Sequence, residues 1–283
     1  MSNLIKWTGS KTSQSKAIVD LFPKNVHTYY EPFIGGGSVL FEVLERCEMN
    51  EISVQHFCCS DKNSDLINIY NIIKNNPNTL LFVYRQCWDE LYNSQDKESV
   101  YYKYRDKYNN IILPTEYRAC LFYWLSRTCF NGLIRYNKDG KFNTAFHHNR
   151  NGMKPIKVEN IIMKYHKLFN KYNVVFSNIE YNYCIPLNND DIVYLDPPYA
   201  NTQGIYFADG ISQKSFFNWM KNLPCNYYLS YDGKTNYKDM TFDLPKELYD
   251  EHLYIHSGVS SFHKLNSNNK TDVKESLYIK YKQ

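Results

Sequence analysis

The sequence predicts an α/β fold, a doubly wound sheet into which a helical, hairpin-bearing segment is inserted. Three observations predict it. Helix and strand patterns alternate through the first 77 residues, around a glycine turn at Gly35-Gly36-Gly37. The next part of the chain has successive helix patterns without strand patterns between them, and short β-rich runs return from residue 173 onward. Alternating strands and helices are typical of a parallel sheet, so we interpret the helical stretch as an insertion.

Five elements are predicted in the first 77 residues. In chain order they are a helix over 12–21, a strand over 28–33, a helix over 38–46, a strand over 52–60 and a helix over 65–73. The helices are predicted from apolar residues that recur three and four positions apart, and Pro23 ends the first of them. A strand, a glycine turn, a helix and a second strand ending in an acid are the opening of a doubly wound sheet.

Residues 78–172 form the predicted insertion. Its elements are helices over 78–93, 98–108 and 115–127, a hairpin over 130–147 and a helix over 158–172. The turn-forming pairs Asn131-Gly132 and Asp139-Gly140 predict the hairpin. The sheet resumes with strands over 174–176, 192–195, 227–230, 253–255 and 277–279, and the polar, Ser- and Asn-rich range 258–272 predicts a mobile loop.

The charge distribution is compatible with a nucleic-acid partner without requiring one. The formal net charge is +4, which is mildly basic. The range 127–157 is more informative, because its only acid is Asp139. Seven basic residues lie there: Arg127, Arg135, Lys138, Lys141, Arg150, Lys154 and Lys157. This segment is therefore predicted to form a local basic surface.

Cysteine usage and hydropathy predict a cytoplasmic, intracellular protein. The eight cysteines are scattered, form no C-x-x-C pair, and mostly lie in apolar runs. They are expected to be buried thiols in a reducing compartment. The N-terminus has no long apolar segment, and no stretch approaches the length of a membrane span, so no membrane partner is expected.

The glycine turn and Asp61 indicate a nucleoside cofactor. Gly35 and Gly37 let the backbone turn tightly and approach a ligand, and the following helix offers free amide groups. Asp61 stands 24 residues after Gly37, at the end of the next predicted strand. A carboxylate in that place accepts hydrogen bonds from ribose hydroxyls. The alternative for Asp61 is an N-cap of the helix that follows it.

The segment Asp196-Pro197-Pro198-Tyr199 is the predicted catalytic centre. A buried apolar strand brings Asp196 to its carboxyl end, where α/β sheets place their ligands. The Asp196 carboxylate and the Pro197 carbonyl are two acceptors for the two N–H bonds of a nucleobase amino group, which would direct its lone pair toward an electrophilic methyl group. The base would stack on Tyr199 after flipping out of a duplex. The alternative is a plain proline turn at the end of a strand.

These segments resemble the Dam-like (D12 class, alpha-group) family of site-specific DNA adenine-N6 methyltransferases. The matching motifs are Lys6-Trp7-Thr8-Gly9-Ser10-Lys11, Pro32-Phe33-Ile34-Gly35-Gly36-Gly37-Ser38-Val39, Asp61-Lys62-Asn63-Ser64-Asp65-Leu66-Ile67 and Asp196-Pro197-Pro198-Tyr199. The resemblance covers nearly the whole chain and is supported at its end by Lys270-Thr271-Asp272-Val273-Lys274-Glu275-Ser276-Leu277.

The resemblance implies a Rossmann-like S-adenosylmethionine-dependent methyltransferase sheet with an inserted DNA-recognition domain. The catalytic domain would comprise 1–77 and 173–283, and the target-recognition insertion 78–172. S-adenosylmethionine is the implied methyl donor. Its expected contacts are Trp7, Lys11, Phe33, Gly35, Gly37, Asp61 and Asp196, while Pro197 and Tyr199 would serve the target adenine.

By the same resemblance, the hairpin is expected to read double-stranded DNA. Arg135 is the candidate base reader, because an arginine can pair bidentately with guanine O6 and N7 in the major groove. Asn131 and Leu133 are its expected neighbours at the bases. Phosphate contacts are expected from Lys138, Lys141, Arg150 and Lys154. The alternative for these charged residues is a solvated hairpin surface. The site would be GATC or another sequence that contains GAT.

Two segments depart from the family pattern. Thr144-Ala145-Phe146, followed by His147-His148, replaces the usual P-F motif, so base reading at the far end of the hairpin is expected to differ. Ser230-Tyr231-Asp232 stands where S-N is common.

A monomer or weak dimer is expected. No metal is expected, because His252 and His256 have no third ligand.

Three readings follow, in order of preference. The first is an adenine-N6 DNA methyltransferase. The second is a methyltransferase for another planar amine or amide, such as cytosine N4, RNA adenine or a protein glutamine. The acid that begins the tetrad favours adenine over cytosine and glutamine, since the enzymes for those substrates often begin it with Ser and Asn. The third is a catalytically silent DNA-binding module, which intact cofactor motifs disfavour.

Overall fold

The computed structural model describes residues 4–149, 151–183, 187–198, 212–259 and 272–282. The chain forms two compact units. The helical unit comprises Met1–Ser10, Gly35–Gly37 and Asp61–Asn178, and the sheet unit comprises Lys11–Ile34, Ser38–Ser60 and Ile179–Gln283. The mixture of helices and a mostly parallel sheet confirms the predicted α/β class.

The strands and helices of the described ranges follow the predicted order closely. The strands are β1 Asn25–Glu31, β2 Ser53–Ser60, β3 Val175–Ser177, β4 Ile192–Leu195, β5 Asn226–Thr235, β6 Glu251–Val259 and β7 Asp272–Lys280. The α-helices are α1 Ser15–Val19, α2 Ser38–Glu48, α3 Ser64–Asn75, α4 Pro77–Asn93, α5 Lys97–Asn110, α6 Glu116–Thr128, α7 Pro155–Lys171 and α8 Gln213–Lys221.

Six of the seven strands of the sheet belong to the sheet unit, where they lie in the order β2-β1-β4-β5-β7-β6. β1 runs parallel to β2 and β4, and β4 runs parallel to β5. β7 is antiparallel to both β5 and β6. The parallel strands β1, β4 and β5 therefore end at the same edge, and that edge is where α/β sheets place their ligands.

β4 lies between β1 and β5 in the sheet. All four of its residues are buried, as expected for a strand covered on both faces. Val193 and Leu195 belong to one apolar core with Tyr227 and Leu229 of β5. The same core includes Phe216 and Met220 of α8, a helix that the sequence analysis did not predict. This packing fixes the carboxyl end of β4, and with it Asp196.

The helical unit is built around α6. Every residue from 119 to 126 of this helix is fully buried, including Tyr123 and Trp124. α6 packs against α3, α4 and α5, and α7 packs against α3 and α4. A helix that is apolar all round is an interior helix, so α6 forms the core of this unit.

The predicted hairpin is present but is less regular than expected. It has isolated antiparallel bridges between Cys129 and Phe146 and between Tyr136 and Phe142, rather than continuous strands. The Asn131-Gly132 pair lies in a short 3₁₀ turn, Phe130–Gly132, and not at the tip. The tip is formed by residues 137–141, where the N–H of Asn137 donates to the Lys141 carbonyl at 2.9 Å.

Several predicted boundaries were wrong. The first helix is shorter than the expected 12–21, and β5, β6 and β7 are each longer than expected. Gly258 and Val259 extend β6, and Asp272 begins β7, so the ends of the predicted loop 258–272 are strand. Its remainder, residues 260–271, lies outside the described residues. The strands are longer because β7 pairs with both neighbours, which supplies hydrogen bonds to residues of low strand propensity.

Two expectations from the sequence, buried cysteines and no membrane-spanning segment, can be compared with the described residues. Among them, Cys47, Cys59, Cys87, Cys120, Cys129 and Cys225 are buried free thiols, and Cys58 is a half-buried one. Cys184 lies outside the described residues. In the same part of the chain, every helix is too short or too polar to span a bilayer.

Candidate active site

The glycine turn of the helical unit encloses the indole of Trp7. Gly35 has a φ of +46°, in the left-handed region that favours glycine. A Cβ atom on Gly35 would lie 3.0 Å from Trp7 Nε1, and one on Gly36 would lie 3.0 Å from Trp7 Cβ. Trp7 also packs edge-on against Phe122 of α6, with ring centroids 6.3 Å apart. The close approach of Trp7 therefore favours glycine at both positions, and the positive φ favours it at Gly35.

Asp61 is bound to this turn by a hydrogen bond. Its Oδ2 accepts the N–H of Gly35 at 3.2 Å, and its Oδ1 accepts the N–H of Asn63 at 2.9 Å. The hydroxyl of Tyr70 donates to the Gly35 carbonyl at 2.8 Å, so both backbone groups of Gly35 are held. Burial raises the pKa of Asp61 to about 6, although the backbone N–H groups of Asn63 and Gly35 oppose the shift.

The alternative role of Asp61 as an N-cap is wrong. α3 begins at Ser64, and its N-cap is Asn63, whose side chain accepts the N–H of Leu66 at 3.0 Å. Asp61 instead accepts the N–H of Gly35 in the glycine turn and the N–H of Asn63 just before α3. Asn63 was not among the predicted site residues, although an Asn three residues before Leu66 is a recognisable capping signal.

In the sheet unit, Asp196 follows β4 directly and forms an ion pair with Lys11. Lys11 Nζ lies 2.8 Å from Asp196 Oδ2 and 3.4 Å from Glu275 Oε2 on β7. The Lys11 side chain is only 4% exposed. Burial lowers the pKa of Lys11, but the two carboxylates outweigh burial and raise it above its usual range. The ammonium is therefore charged throughout the physiological pH range.

A second polar layer lies on the neighbouring strands of the sheet unit. The hydroxyls of Tyr194 and Ser230 are 2.8 Å apart, and the Tyr29 hydroxyl donates to Glu31 Oε2 at 2.7 Å. Burial, followed by the negative charge of Asp196, raises the pKa of Tyr194 well above its usual value. These tyrosines are therefore neutral hydrogen-bonding groups rather than bases.

The remaining predicted site residues are Pro197, Pro198 and Tyr199 of the tetrad and Phe33 and Gly37 of the glycine-turn motif. Pro197 is buried and Pro198 is half-buried, whereas Tyr199 lies outside the described residues. Phe33 stacks on Tyr181, with ring centroids 5.5 Å apart, and packs edge-on against Phe216 of α8. Gly37, like Gly35, has a positive φ, of 69°.

The hairpin presents Arg135 with a defined orientation. Its Nε donates to Asn143 Oδ1 at 2.9 Å, and the Asn143 N–H donates back to the Arg135 carbonyl at 3.0 Å. Lys138, Lys141 and Asn131 are exposed, and Leu133 is half-buried. Arg150 lies outside the described residues. Arg135 is therefore exposed and yet held by Asn143.

Thr144, part of the segment that departs from the family pattern, has an internal role. It is buried, and its hydroxyl donates to the Leu133 carbonyl at 2.7 Å. Its own carbonyl accepts the hydroxyl of Tyr101 from α5 at 2.8 Å. Thr144 thus closes the hairpin and attaches it to α5. Across the described residues there is no cluster of three or more potential metal ligands.

The strand order and the antiparallel β7 are those of a Rossmann-like methyltransferase fold, and an acid followed by two prolines stands at the end of β4. A family model of the D12 class N6 adenine-specific DNA methyltransferases matches residues 7–216, and the chain belongs to this family. It is therefore a site-specific adenine DNA methyltransferase, an enzyme with a DNA substrate and a methyl donor.

Curated relatives agree with this family. The chain is 32% identical over 206 residues to the Type II methyltransferase M.MjaIII of Methanocaldococcus jannaschii, covering 69% of this chain and 68% of that protein. It is 29% identical over 266 residues to the Type II methyltransferase M.CviBI of Paramecium bursaria Chlorella virus NC1A, covering 91% and 89%. It is 32% identical over 197 residues to the DNA adenine methylase of Escherichia coli K12, covering 69% and 64%.

Sequence reasoning missed one charged member of the site. Glu275 lies in a segment that had been matched to the family, but no role had been assigned to it. Its position beside Lys11 depends on β7 lying next to β5, and a single sequence carries no direct signal for that pairing.

Proposed function

We propose that the enzyme transfers a methyl group from S-adenosylmethionine to N6 of an adenine that has flipped out of double-stranded DNA. The observation that carries the proposal is the ion pair between Asp196 and the buried Lys11, at 2.8 Å, at the carboxyl end of β4. Lys11 holds one oxygen of the carboxylate in a fixed place before substrate arrives. Orientation of this kind accounts for much of the rate in a reaction that needs no strong base.

The residues of the tetrad divide the work on the adenine. The Asp196 carboxylate and the Pro197 carbonyl accept the two N–H bonds of the amino group, and Pro198 stiffens the segment. Tyr199 stacks on the flipped ring. Positive charge develops on the amino nitrogen as it gains the methyl group, and the nearby carboxylate stabilises that charge. The nitrogen then loses one proton to solvent, and the carbon–sulfur bond that breaks as the carbon–nitrogen bond forms would leave the donor as a neutral thioether.

The methyl donor fits the residues on which the proposal relies. A Cβ on Gly35 or Gly36 would lie 3.0 Å from Trp7, so the two glycines let the turn pack closely against the indole that is proposed to contact the donor. Asp61 offers carboxylate oxygens to ribose hydroxyls. The proposed contacts are the residues expected from the sequence: Trp7, Lys11, Phe33, Gly35, Gly37, Asp61 and Asp196. S-adenosylmethionine, when bound, supplies an electrophilic methyl group.

The hairpin is proposed to read the DNA sequence. Arg135, held by Asn143, pairs with a guanine in the major groove, with Asn131 and Leu133 beside it. Lys138, Lys141 and Arg150 contact phosphates. The site proposed is GATC or another sequence containing GAT. Residues 78–172 serve as the recognition domain, and 1–77 with 173–283 as the catalytic domain. The enzyme would act as a monomer or weak dimer in the cytoplasm, where it meets DNA.

The test is to replace Asp196 and measure the modified base. Asp196→Ala is expected to abolish incorporation of labelled methyl groups into DNA, while far-ultraviolet circular dichroism and thermal melting stay near wild type. Asp190→Ala is the matched control, because Asp190 is an exposed carboxylate that precedes the same strand. Digestion of product DNA to nucleosides should give N6-methyladenine. Near-normal methylation by the Asp196→Ala enzyme, or N4-methylcytosine as the product, would refute the proposal.

A further inference from the structure

We infer that Glu275 is a positioning residue that compensates the charge of Lys11, so that Lys11 does not cancel the negative charge of Asp196. The inference rests on the proposed function, because it assigns a role within the same site. Lys11 Nζ is 2.8 Å from Asp196 and 3.4 Å from Glu275. The two carboxylate side chains are 20% and 22% exposed, so solvent screens this cluster only in part.

The charges of the cluster explain why a second carboxylate is needed. Lys11 alone would cancel the negative charge of Asp196, although it fixes the position of that carboxylate. With Glu275 present, the one positive charge of Lys11 faces two negative charges, so these three side chains together carry one net negative charge. The amino nitrogen of the substrate becomes positive as it gains a methyl group. A net negative site stabilises that state more than it stabilises the neutral amine.

Glu275 is held by the sheet, which suits a positioning role. Its partner on β6 is Ile255, and the next residue, Ser276, pairs with Tyr231 of β5. The pairing of β5 with β7 shifts register between Tyr231 and Lys234. The backbone of Glu275 therefore sits between two paired strands, and a side chain placed on a strand is positioned more accurately than one on a loop.

Gly233 shows how closely β5 approaches Glu275. A Cβ atom on Gly233 would lie 2.7 Å from Glu275 Cα, 2.1 Å from the Lys274 carbonyl oxygen and 2.8 Å from the Ser276 nitrogen. Any larger residue would force these backbones apart. The register shift of β5 thus lies beside the backbone of Glu275, where the two strands are in close contact.

The first test is a charge-removing substitution with a matched control. Glu275→Gln keeps the size of the side chain and removes its charge. We expect kcat for DNA methylation to fall at least tenfold, with the Kd for S-adenosylmethionine and the KM for DNA within twofold of wild type. Glu275→Asp should recover part of kcat. Glu251→Gln on β6 is the control, because Glu251 is an exposed carboxylate bonded to Tyr281 at 3.0 Å.

The second test uses the titration of Asp196. Charged and titratable groups near it include Lys11, Glu275 and Tyr194. Removing the negative charge of Glu275 favours ionisation of Asp196, so its pKa should fall. The acid limb of the kcat–pH profile should move to lower pH in Glu275→Gln. Carbon-13 NMR of the labelled aspartate carboxyls, assigned with Asp196→Asn, should show the same decrease without any turnover. A residue that only supported the fold would lower melting temperature and leave this pKa in place.

The outcomes separate the two proposals. If wild-type enzyme methylates adenine and Glu275→Gln matches it in kcat and pH profile, the role of Glu275 is refuted and the proposed function stands. If wild-type enzyme does not methylate adenine, the proposed function is refuted, and the NMR titration still decides the charge effect. An Asp196 pKa that is unchanged in Glu275→Gln would refute the proposed charge effect of Glu275. Glu275→Leu is a second neutral variant, with good strand propensity, should Glu275→Gln fold poorly.

Discussion

The backbone N–H of Gly35 donates to the carboxylate of Asp61 at 3.2 Å, so the glycine turn and the acid that ends the next strand contact each other directly. This bond and the one from the Asn63 N–H favour the ionised carboxylate. Burial opposes them and prevails, and the pKa of Asp61 is raised to about 6. Two consequences follow, one for ligand binding and one for folding.

Binding of the methyl donor should weaken as Asp61 becomes protonated. A protonated carboxyl accepts hydroxyl hydrogen bonds poorly, so Kd for S-adenosylmethionine should rise about tenfold from pH 7 to pH 5. Asp61→Asn should bind weakly at both pH values, with little dependence on pH. Isothermal titration calorimetry measures both. Asp89→Asn, an exposed carboxylate on α4, is the control and should behave as wild type. A wild-type Kd that is constant between pH 5 and 7 would contradict the role given to Asp61.

The same pKa shift predicts a dependence of stability on pH. The folded-state pKa, about 6, lies above the ordinary value of 3.8, so the native state holds the proton more tightly. The stabilisation is therefore present below pH 3.8 and is lost as pH rises to 6. By linkage it amounts to about 3 kcal/mol at most. The difference in free energy of unfolding between wild type and Asp61→Asn should fall by up to that amount from pH 4 to 7 in urea titrations. An unchanged difference would show that Asp61 is not destabilised by burial.

Gly35→Ala should weaken S-adenosylmethionine binding more than the same substitution at another glycine with a positive φ. The new Cβ would meet the Trp7 indole at 3.0 Å, on a backbone with a φ of +46°. Gly140→Ala is the matched control, because its φ is +72° and nothing lies within 4 Å of its Cβ position. Both should lose about 1 kcal/mol of stability from the backbone conformation. Only Gly35→Ala should also weaken S-adenosylmethionine binding tenfold or more. Equal S-adenosylmethionine binding by the two variants would show that the contact between residue 35 and Trp7 does not affect the cofactor site.

The elements of the fold followed from local patterns wherever those patterns were strong. The helix predicted over 78–93 is Pro77–Asn93, and the strand predicted over 192–195 has those bounds. α8 escaped prediction because its nine residues carry four large apolar side chains in a short segment, which periodicity alone does not distinguish from a loop or a strand. Its helical state depends on the sheet core against which Phe216 packs.

Most residues of the candidate site could be predicted from the sequence, but the contacts between them could not. Lys11 and Asp196 were both expected to bind cofactor, yet their ion pair joins opposite parts of the chain. Glu275 could not be found, because its approach to Lys11 requires the β5–β7 pairing. Asp61 was the cap considered from the sequence, but the N–H of Leu66 donates to Asn63, so Asn63 caps α3 and Asp61 binds the N–H of Gly35 instead.

Thr144→Val should loosen the hairpin without altering its charge. The substitution removes the hydroxyl that donates to the Leu133 carbonyl at 2.7 Å and leaves that carbonyl without this donor. Such a loss destabilises a protein by about 1–3 kcal/mol. Thr144→Ser keeps the hydroxyl and serves as the control. Hydrogen exchange of the hairpin amides should accelerate in Thr144→Val and stay near wild type in Thr144→Ser. Identical exchange in the two variants would show that this bond does not hold the hairpin.

Arg135 should control which DNA sequence is methylated. If it pairs bidentately with guanine, Arg135→Ala should lose about 1–3 kcal/mol of discrimination at one base pair. Asn143→Ala should have a smaller effect of the same kind, because Arg135 Nε loses the acceptor that orients it at 2.9 Å.

Lys141→Ala provides the contrasting case on the same hairpin. As a phosphate contact it should weaken binding to all sequences alike and reduce the slope of log K against log salt by about 1. Modification-aware sequencing of plasmid DNA treated with each variant gives the methylated base and its surrounding sequence together. Because Arg135 and Lys141 carry the same charge, a general electrostatic role would change both profiles equally. A site preference that is unchanged in Arg135→Ala would assign sequence reading to another part of the chain.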